Sequence, residues 1–103
     1  MNISGKRFLI TGGTGSFGTT VCEYLLKNDV KEVRIFSRDE NKQYQMRRRI
    51  KNEKVNFFIG DIRDYDSVLQ ACKNIDFVFH AAALKQVPSC EFYPLEAVKT
   101  NII

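Results

Sequence analysis

Three glycines at a fixed interval constrain this chain more than any other feature. They fall in the stretch Phe8-Leu9-Ile10-Thr11-Gly12-Gly13-Thr14-Gly15-Ser16-Phe17-Gly18, where Gly12, Gly15 and Gly18 have the spacing G-x-x-G-x-x-G. Phe8 to Ile10 is a short apolar run that reads as a buried parallel strand, and a helix-period pattern begins at Phe17. Gly12 can take the backbone angles of a tight strand-to-helix turn. Gly15 lets the main chain approach a pyrophosphate, and Gly18 lets the helix pack close to the strand. Phosphates would then sit on N–H groups at the helix N-terminus, where the dipole also favours negative charge. Thr14 and Ser16 can add hydroxyl donors. Bare spacing of this kind also occurs in turns that hold no ligand; the strand before it and the helix after it favour a dinucleotide site.

The 103 residues are enough for one small domain with a core, and too few for two. An apolar content of 44% and a charged content of 27% are ordinary for a soluble globular protein. No apolar run approaches membrane-spanning length and the N-terminus lacks the layout of a signal peptide, so a cytoplasmic location is expected. Cys22, Cys72 and Cys90 are scattered, with no C-x-x-C, and read as reduced, packed side chains. His80 is the only histidine, which excludes a histidine-rich metal site. Much of the net charge of +4 lies in Met46-Arg47-Arg48-Arg49-Ile50-Lys51, with Lys54 just after. Such a cluster can contact nucleic acid, or lie near a cofactor phosphate, but its ordinary meaning is a solvated helix face and loop. No nucleic-acid partner is expected.

Along the chain, Phe17, Val21, Tyr24 and Leu25 fall on one face of the first helix, which Lys27-Asn28-Asp29 closes. Val33 to Phe36 is a second strand, completing a βαβ unit. Ser37 and Arg38 occupy the first two loop positions after it, and Lys42 lies one turn along the next helix. In dinucleotide folds an acid at this strand end holds the ribose hydroxyls of NAD, whereas an arginine accommodates the 2′-phosphate of NADP. A hydroxyl and two cations suit a phosphate dianion, so NADP is expected. Asp39 is the conflicting signal, and it could instead cap the helix through its side-chain oxygen.

The helix over Asp39 to Lys51 is very polar, with Tyr44 and Ile50 among its few apolar anchors. Val55 to Ile59 is the third strand, followed by Gly60-Asp61-Ile62-Arg63-Asp64. Asp61 could accept from an adenine amino group while Ile62 packs on the ring, or it could simply form the turn. A short helix starting at Asp66-Ser67 would bury Val68, Leu69 and Cys72. Phe77 to His80 is the fourth strand, leading into Ala81-Ala82-Ala83, small residues that permit close approach of a ribose or nicotinamide. Pro88 and Pro94 break the chain into a loop, and Glu96 to Ile103 opens another helix. The fold class expected is α/β: the N-terminal half of a Rossmann-type doubly wound parallel sheet, with helices on both faces. Residues 1–103 would form an NAD(P)-binding domain that is incomplete at its C-terminal end. A half-sheet leaves strand edges and apolar faces uncovered, so a homo-oligomer is expected.

The glycine stretch, Ser37-Arg38-Asp39-Glu40, Gly60-Asp61-Ile62-Arg63-Asp64 and His80-Ala81-Ala82-Ala83-Leu84-Lys85-Gln86-Val87-Pro88 together resemble the extended short-chain dehydrogenase/reductases. More narrowly they resemble the polysaccharide-biosynthesis branch, the inverting UDP-N-acetylglucosamine 4,6-dehydratases. The resemblance covers essentially the whole chain. It implies that Thr14, Gly15, Ser16 and Phe17 hold the pyrophosphate. Ser37, Arg38, Asp39, Glu40, Asn41 and Lys42 would surround the ribose and its 2′-phosphate, and Asp61 with Ile62 would lie at the adenine. Ala81 and Lys85 would lie toward the nicotinamide, with Lys85 also placed to touch a UDP-sugar substrate, and Asn101 after Thr100 would support the active-site architecture. The implied reaction takes hydride from sugar C4 to NADP, loses water between C5 and C6, and returns hydride at C6 with inversion at C5. Its acid and base include a tyrosine and lysine in Y-x-x-x-K spacing, yet Tyr24, Tyr44, Tyr65 and Tyr93 are followed four residues later by Asn28, Arg48, Leu69 and Ala97. No catalytic residue is therefore assigned, and the chain alone is expected to be inert. A fragment of a UDP-sugar 4-epimerase, or a free-standing NADP-binding or sensing module, are the competing expectations.

Overall fold

A computed structural model describes residues 3–12 and 14–80, together with the backbone of Tyr93–Pro94. Strand β1 (Arg7–Thr11) leads into helix α1 (Ser16–Leu26), then β2 (Glu32–Ser37), α2 (Glu40–Arg49), β3 (Val55–Ile59), α3 (Tyr65–Ala71) and β4 (Phe77–His80). The strands lie in the order β3-β2-β1-β4, all parallel. From β1 the chain steps outward twice, through α1 and α2, and then crosses back to the other side of β1 through α3. Because parallel crossovers are right-handed, that change of direction puts the third helix on the opposite face of the sheet.

The cores follow this division. Phe8, Ile10, Val33 and Ile35 pack with Val21, Cys22 and Leu25 of α1 and Met46 of α2. Leu9, Phe36 and Val78 pack on the other face with Val68, Ala71 and Cys72. Successive strand residues point to opposite faces, so a parallel sheet covered on both sides needs unbroken apolar runs such as Phe8-Leu9-Ile10. Each fully buried side chain of this size stabilises by about 1.5–3 kcal/mol. Asp29 and Asn74, with φ of 57° and 65°, turn the chain after α1 and α3 in the left-handed conformation that Asn and Asp tolerate best.

Several local expectations are corrected. Tyr24, expected on the buried face of α1, is exposed; Gly18, Thr19, Val21, Cys22 and Leu25 are buried. Tyr24 sits one residue, about 100°, round the helix from Leu25, and the buried stripe extends the other way, over the small Gly18 and Cys22. Tyr44, expected as an anchor of α2, is likewise exposed, while its neighbour Gln43 is buried with Met46. In α3 Ala71 is buried and Leu69 only half-buried. Ser37 belongs to β2, because the ladder to β3 extends to the pair Ser37 and Ile59. Tyr93–Pro94, expected in a loop, forms a two-residue strand β5 antiparallel to β4 at the edge of the sheet, a place where proline's missing N–H is tolerated. The helix expected over Glu96 to Ile103, Pro88 and Cys90 lie outside the described residues.

Candidate functional site

The carboxyl ends of β1, β2 and β3 open onto a groove of about 460 Å³. Thr11 and Gly12 line it from β1, Phe36, Ser37 and Arg38 from β2, and Gly60 to Arg63 from the turn after β3. Ligands of open α/β sheets bind at this end of the strands, where successive turns converge. Gly12 has φ +66° and donates its N–H to the Phe36 carbonyl at 2.8 Å, which holds the β1 turn down against β2. Among the described residues of the turn, Gly12 is the one whose backbone angle itself requires glycine.

Helix α1 begins at Gly15 with no side-chain cap and no acid in its first turn. Its first N–H groups have no partner along the helix and point outward beyond Gly15. A β-carbon on Gly15 would meet nothing within 4 Å, so packing within the protein makes no demand for glycine there. The other two helices differ. Asp39 accepts from the Lys42 N–H at 2.9 Å at the start of α2, with Glu40 in the first turn. Asp64 accepts from the Asp66 and Ser67 N–H groups at the start of α3, with Asp66 in the first turn. Both termini are thus closed by their own carboxylates, whereas that of α1 has neither a capping side chain nor an acid in its first turn.

Beyond β2 the expected residues separate by role. Ser37 is buried and Arg38 exposed, and both line the groove, whereas Glu40, Asn41 and Lys42 are exposed and are not among its lining residues. Asp39 is engaged as the α2 cap. Asp61 is gripped by Arg63, whose backbone N–H donates to Oδ1 at 2.8 Å and whose Nη2 donates to Oδ2 at 2.7 Å. These hydrogen bonds, with the charges of Arg63 and Arg38, hold the Asp61 carboxyl well below the usual carboxylate range. Arg38 Nη1 reaches the same carboxylate at 3.5 Å, a single long contact on an exposed side chain. Such a contact holds Arg38 weakly, so it can be exchanged for a stronger anion. Ile62 is partly exposed at the groove wall. Ala81, Lys85 and Asn101 lie outside the described residues.

Sequence reasoning passed over Gly60, Phe36, Arg63 and Gln43. A β-carbon on Gly60 would stand 2.7 Å from Cζ of Phe36, whose ring forms the groove floor. The position of Gly60 directly after a strand was the available signal; Gln43, a polar residue on a polar helix, carried none. The basic cluster is dispersed on folding. Arg47 stacks on Phe57, Arg48 on Tyr44, Arg49 pairs with Glu23 and Lys54 with Asp29. Burial and the neighbouring Glu23 charge push the Cys22 thiol up to about 12, as suits a packed side chain. Among the described residues no group of three or more metal-ligating side chains converges, and no helix is long and apolar enough to cross a membrane.

Residues 8–103 match the family described as polysaccharide biosynthesis protein. The chain belongs to this family. Polysaccharide biosynthesis proteins of this type are extended short-chain dehydrogenase/reductases, in keeping with the motifs and with the four-stranded parallel sheet. The chain is 61% identical over 102 residues to a UDP-glucose 4-epimerase of Rickettsia bellii, covering 95% of this chain and 30% of that relative. It thus spans about a third of the length of the curated relatives it matches. The crystal structure of Pen from Bacillus thuringiensis superimposes with a TM-score of 0.76 at 45% identity, over 84% of this chain and 28% of that one. The Bordetella bronchiseptica enzyme WbmF, in complex with NAD+ and UDP, shares the fold at a TM-score of 0.59 and 22% identity, over 76% of this chain and 23% of WbmF.

Proposed function

We propose that this polysaccharide biosynthesis protein binds NADP, as the cofactor-binding part of a nucleotide-sugar epimerase or dehydratase. One observation carries the choice of cofactor. At the end of β2, where an NAD-binding fold places a free carboxylate, stand the hydroxyl of Ser37 and the exposed guanidinium of Arg38. The nearby Asp39 carboxylate is already engaged as the cap of α2. The uncapped N-terminus of α1 offers backbone donors to the pyrophosphate, and the open space at Gly15 lets it approach. Gly60 and Ile62 form an apolar wall for the adenine. WbmF, which shares the fold, carries NAD+ and UDP, which supports a dinucleotide and a UDP-sugar as the ligand classes.

When bound, the nicotinamide supplies the acceptor for hydride from sugar C4, the step with which both reactions begin. This chain's residues bind and orient the adenosine end. No tyrosine here is followed by lysine at the fourth position, so the described residues hold the cofactor and supply no Y-x-x-x-K acid–base pair. The name of the Rickettsia bellii relative favours the 4-epimerase. The Ala81 to Pro88 stretch, resembling the inverting branch, favours the 4,6-dehydratase. In a polypeptide of the relatives' full length, product analysis with UDP-N-acetylglucosamine separates them: an epimer keeps its C6 hydroxyl, and a dehydrated product has lost it.

The cofactor reading is tested by titrating the chain with NADP and with NAD. Wild type should prefer NADP, and Arg38→Ala should weaken NADP by about tenfold or more while leaving NAD within about twofold. Equal affinity of wild type for the two dinucleotides overturns it.

A further inference from the structure

Gln43 is 2% exposed, on a helix most of whose side chains meet solvent. Its Nε2 donates to the Phe58 carbonyl at 2.8 Å, and at 3.4 Å to both the carbonyl and Oγ of Ser37. The amide cannot be turned round, because Oε1 would then face carbonyls that only accept. In this orientation Oε1 is buried with no donor among the described residues. A methionine would fill a similar space without the orphaned Oε1, at the loss of the 2.8 Å donor to the Phe58 carbonyl, so the amide is accounted for by what it donates to and not by packing.

The account lies at Ser37. A hydroxyl oxygen has two lone pairs and one proton. Ser37 Oγ accepts from Gln43 Nε2 at 3.4 Å and from the Asp39 N–H at 3.2 Å. With both lone pairs engaged, its proton is left to donate, and Ser37 lines the groove next to Arg38. A hydroxyl restricted to donating suits a phosphate dianion, which only accepts. It suits a free ribose 2′-hydroxyl less well, because that group also has a proton of its own to place.

We propose that Gln43 is a positioning residue, which fixes the Ser37 hydroxyl as a donor and thereby favours a nucleotide bearing a 2′-phosphate. Gln43 acts through Ser37 and touches no ligand itself. The inference rests on the NADP reading and deepens it.

The test is a double-mutant cycle on the full chain, read by titration with 2′,5′-ADP and 5′-AMP, probes that differ only in the 2′-phosphate. Gln43→Met should weaken 2′,5′-ADP about fivefold and 5′-AMP less than about twofold. In a Ser37→Ala background the same substitution should change 2′,5′-ADP by less than about twofold, because no hydroxyl remains to be oriented. Equal losses for the two probes, or an undiminished loss in the Ser37→Ala background, overturn the proposal. Wild type binding both probes equally instead overturns the NADP reading, and this inference with it. Should Gln43→Met fail to fold, wild type still decides. The Gln43 side-chain amide signals in NMR should shift with bound 2′,5′-ADP and not with 5′-AMP; signals unmoved by bound 2′,5′-ADP overturn the role.

Discussion

Thr11 Oγ1 lies 2.7 Å from His80 Nδ1, joining the carboxyl ends of β1 and β4. The two residues are register partners, and their strands form the pair across which the sheet reverses its order of growth. That reversal is where an open α/β sheet leaves its ligand crevice, and a polar side-chain contact joins the two strand ends there. Burial holds the His80 imidazole below its ordinary value of 6.5.

This lowering makes stability depend on pH. Between 6.5 and the lower folded value the unfolded chain binds more protons than the native one, so stability rises with pH there. The contribution is whole above 6.5 and is lost as pH falls through the folded value. His80 is the only histidine, so no other side chain with an unperturbed pKa titrates in that window. Urea unfolding should give a lower stability at about pH 5.5 than at about pH 7.5, and His80→Gln should flatten the difference. Equal slopes for the two proteins would refute this assignment.

Removing the cap of α2 should be costly for so polar a helix. Asp39→Ala leaves the Lys42 N–H without its 2.9 Å acceptor and should destabilise by about 1 kcal/mol. For a chain of this size that lowers Tm by about 4–8 °C in a thermal melt. Asp39→Asn, which keeps a capping oxygen, should recover most of the loss.

At α1 stability and binding should move in opposite directions. Its N-terminus has neither a capping side chain nor an acid in the first turn. Ser16→Asp places a negative charge at the positive end of the helix and should stabilise the unliganded chain by about 0.3–1 kcal/mol at low salt. The same charge should repel a pyrophosphate and weaken NADP by about tenfold, read by titration calorimetry. A variant that is more stable and binds NADP unchanged would remove α1 from the site.

Gly60→Ala probes the groove floor. The new β-carbon would stand 2.7 Å from Phe36 Cζ and 3.3 Å from Ser67 Cβ. Phe36 is 2% exposed and has little room to retreat, so the substitution should cost about 1–3 kcal/mol in denaturant unfolding. An unchanged unfolding midpoint would show that the ring can give way.

Read alone, the chain of residues determined the order and kind of its first seven elements. The bounds expected for β3 and β4 are those observed. Apolar runs bounded by turn formers and a glycine triplet are local signals, and local signals survive in any neighbourhood. Asp39 showed both of its candidate roles for the same reason.

Tertiary structure alone decided which face of each helix is buried. Tyr24 and Tyr44 are exposed, and Gln43 is inside. A helix has apolar and polar side chains on neighbouring faces, and the sheet it meets selects between faces one residue apart. Pairing with β3 also drew Ser37 from the expected loop into β2, where Gln43 from α2 and the Asp39 N–H meet its hydroxyl. Arg63, two residues from Asp61, engages the carboxylate that sequence alone had offered to adenine. Each of these contacts depends on direction as well as spacing, and side-chain direction exists only once strands β3, β2, β1 and β4 lie side by side.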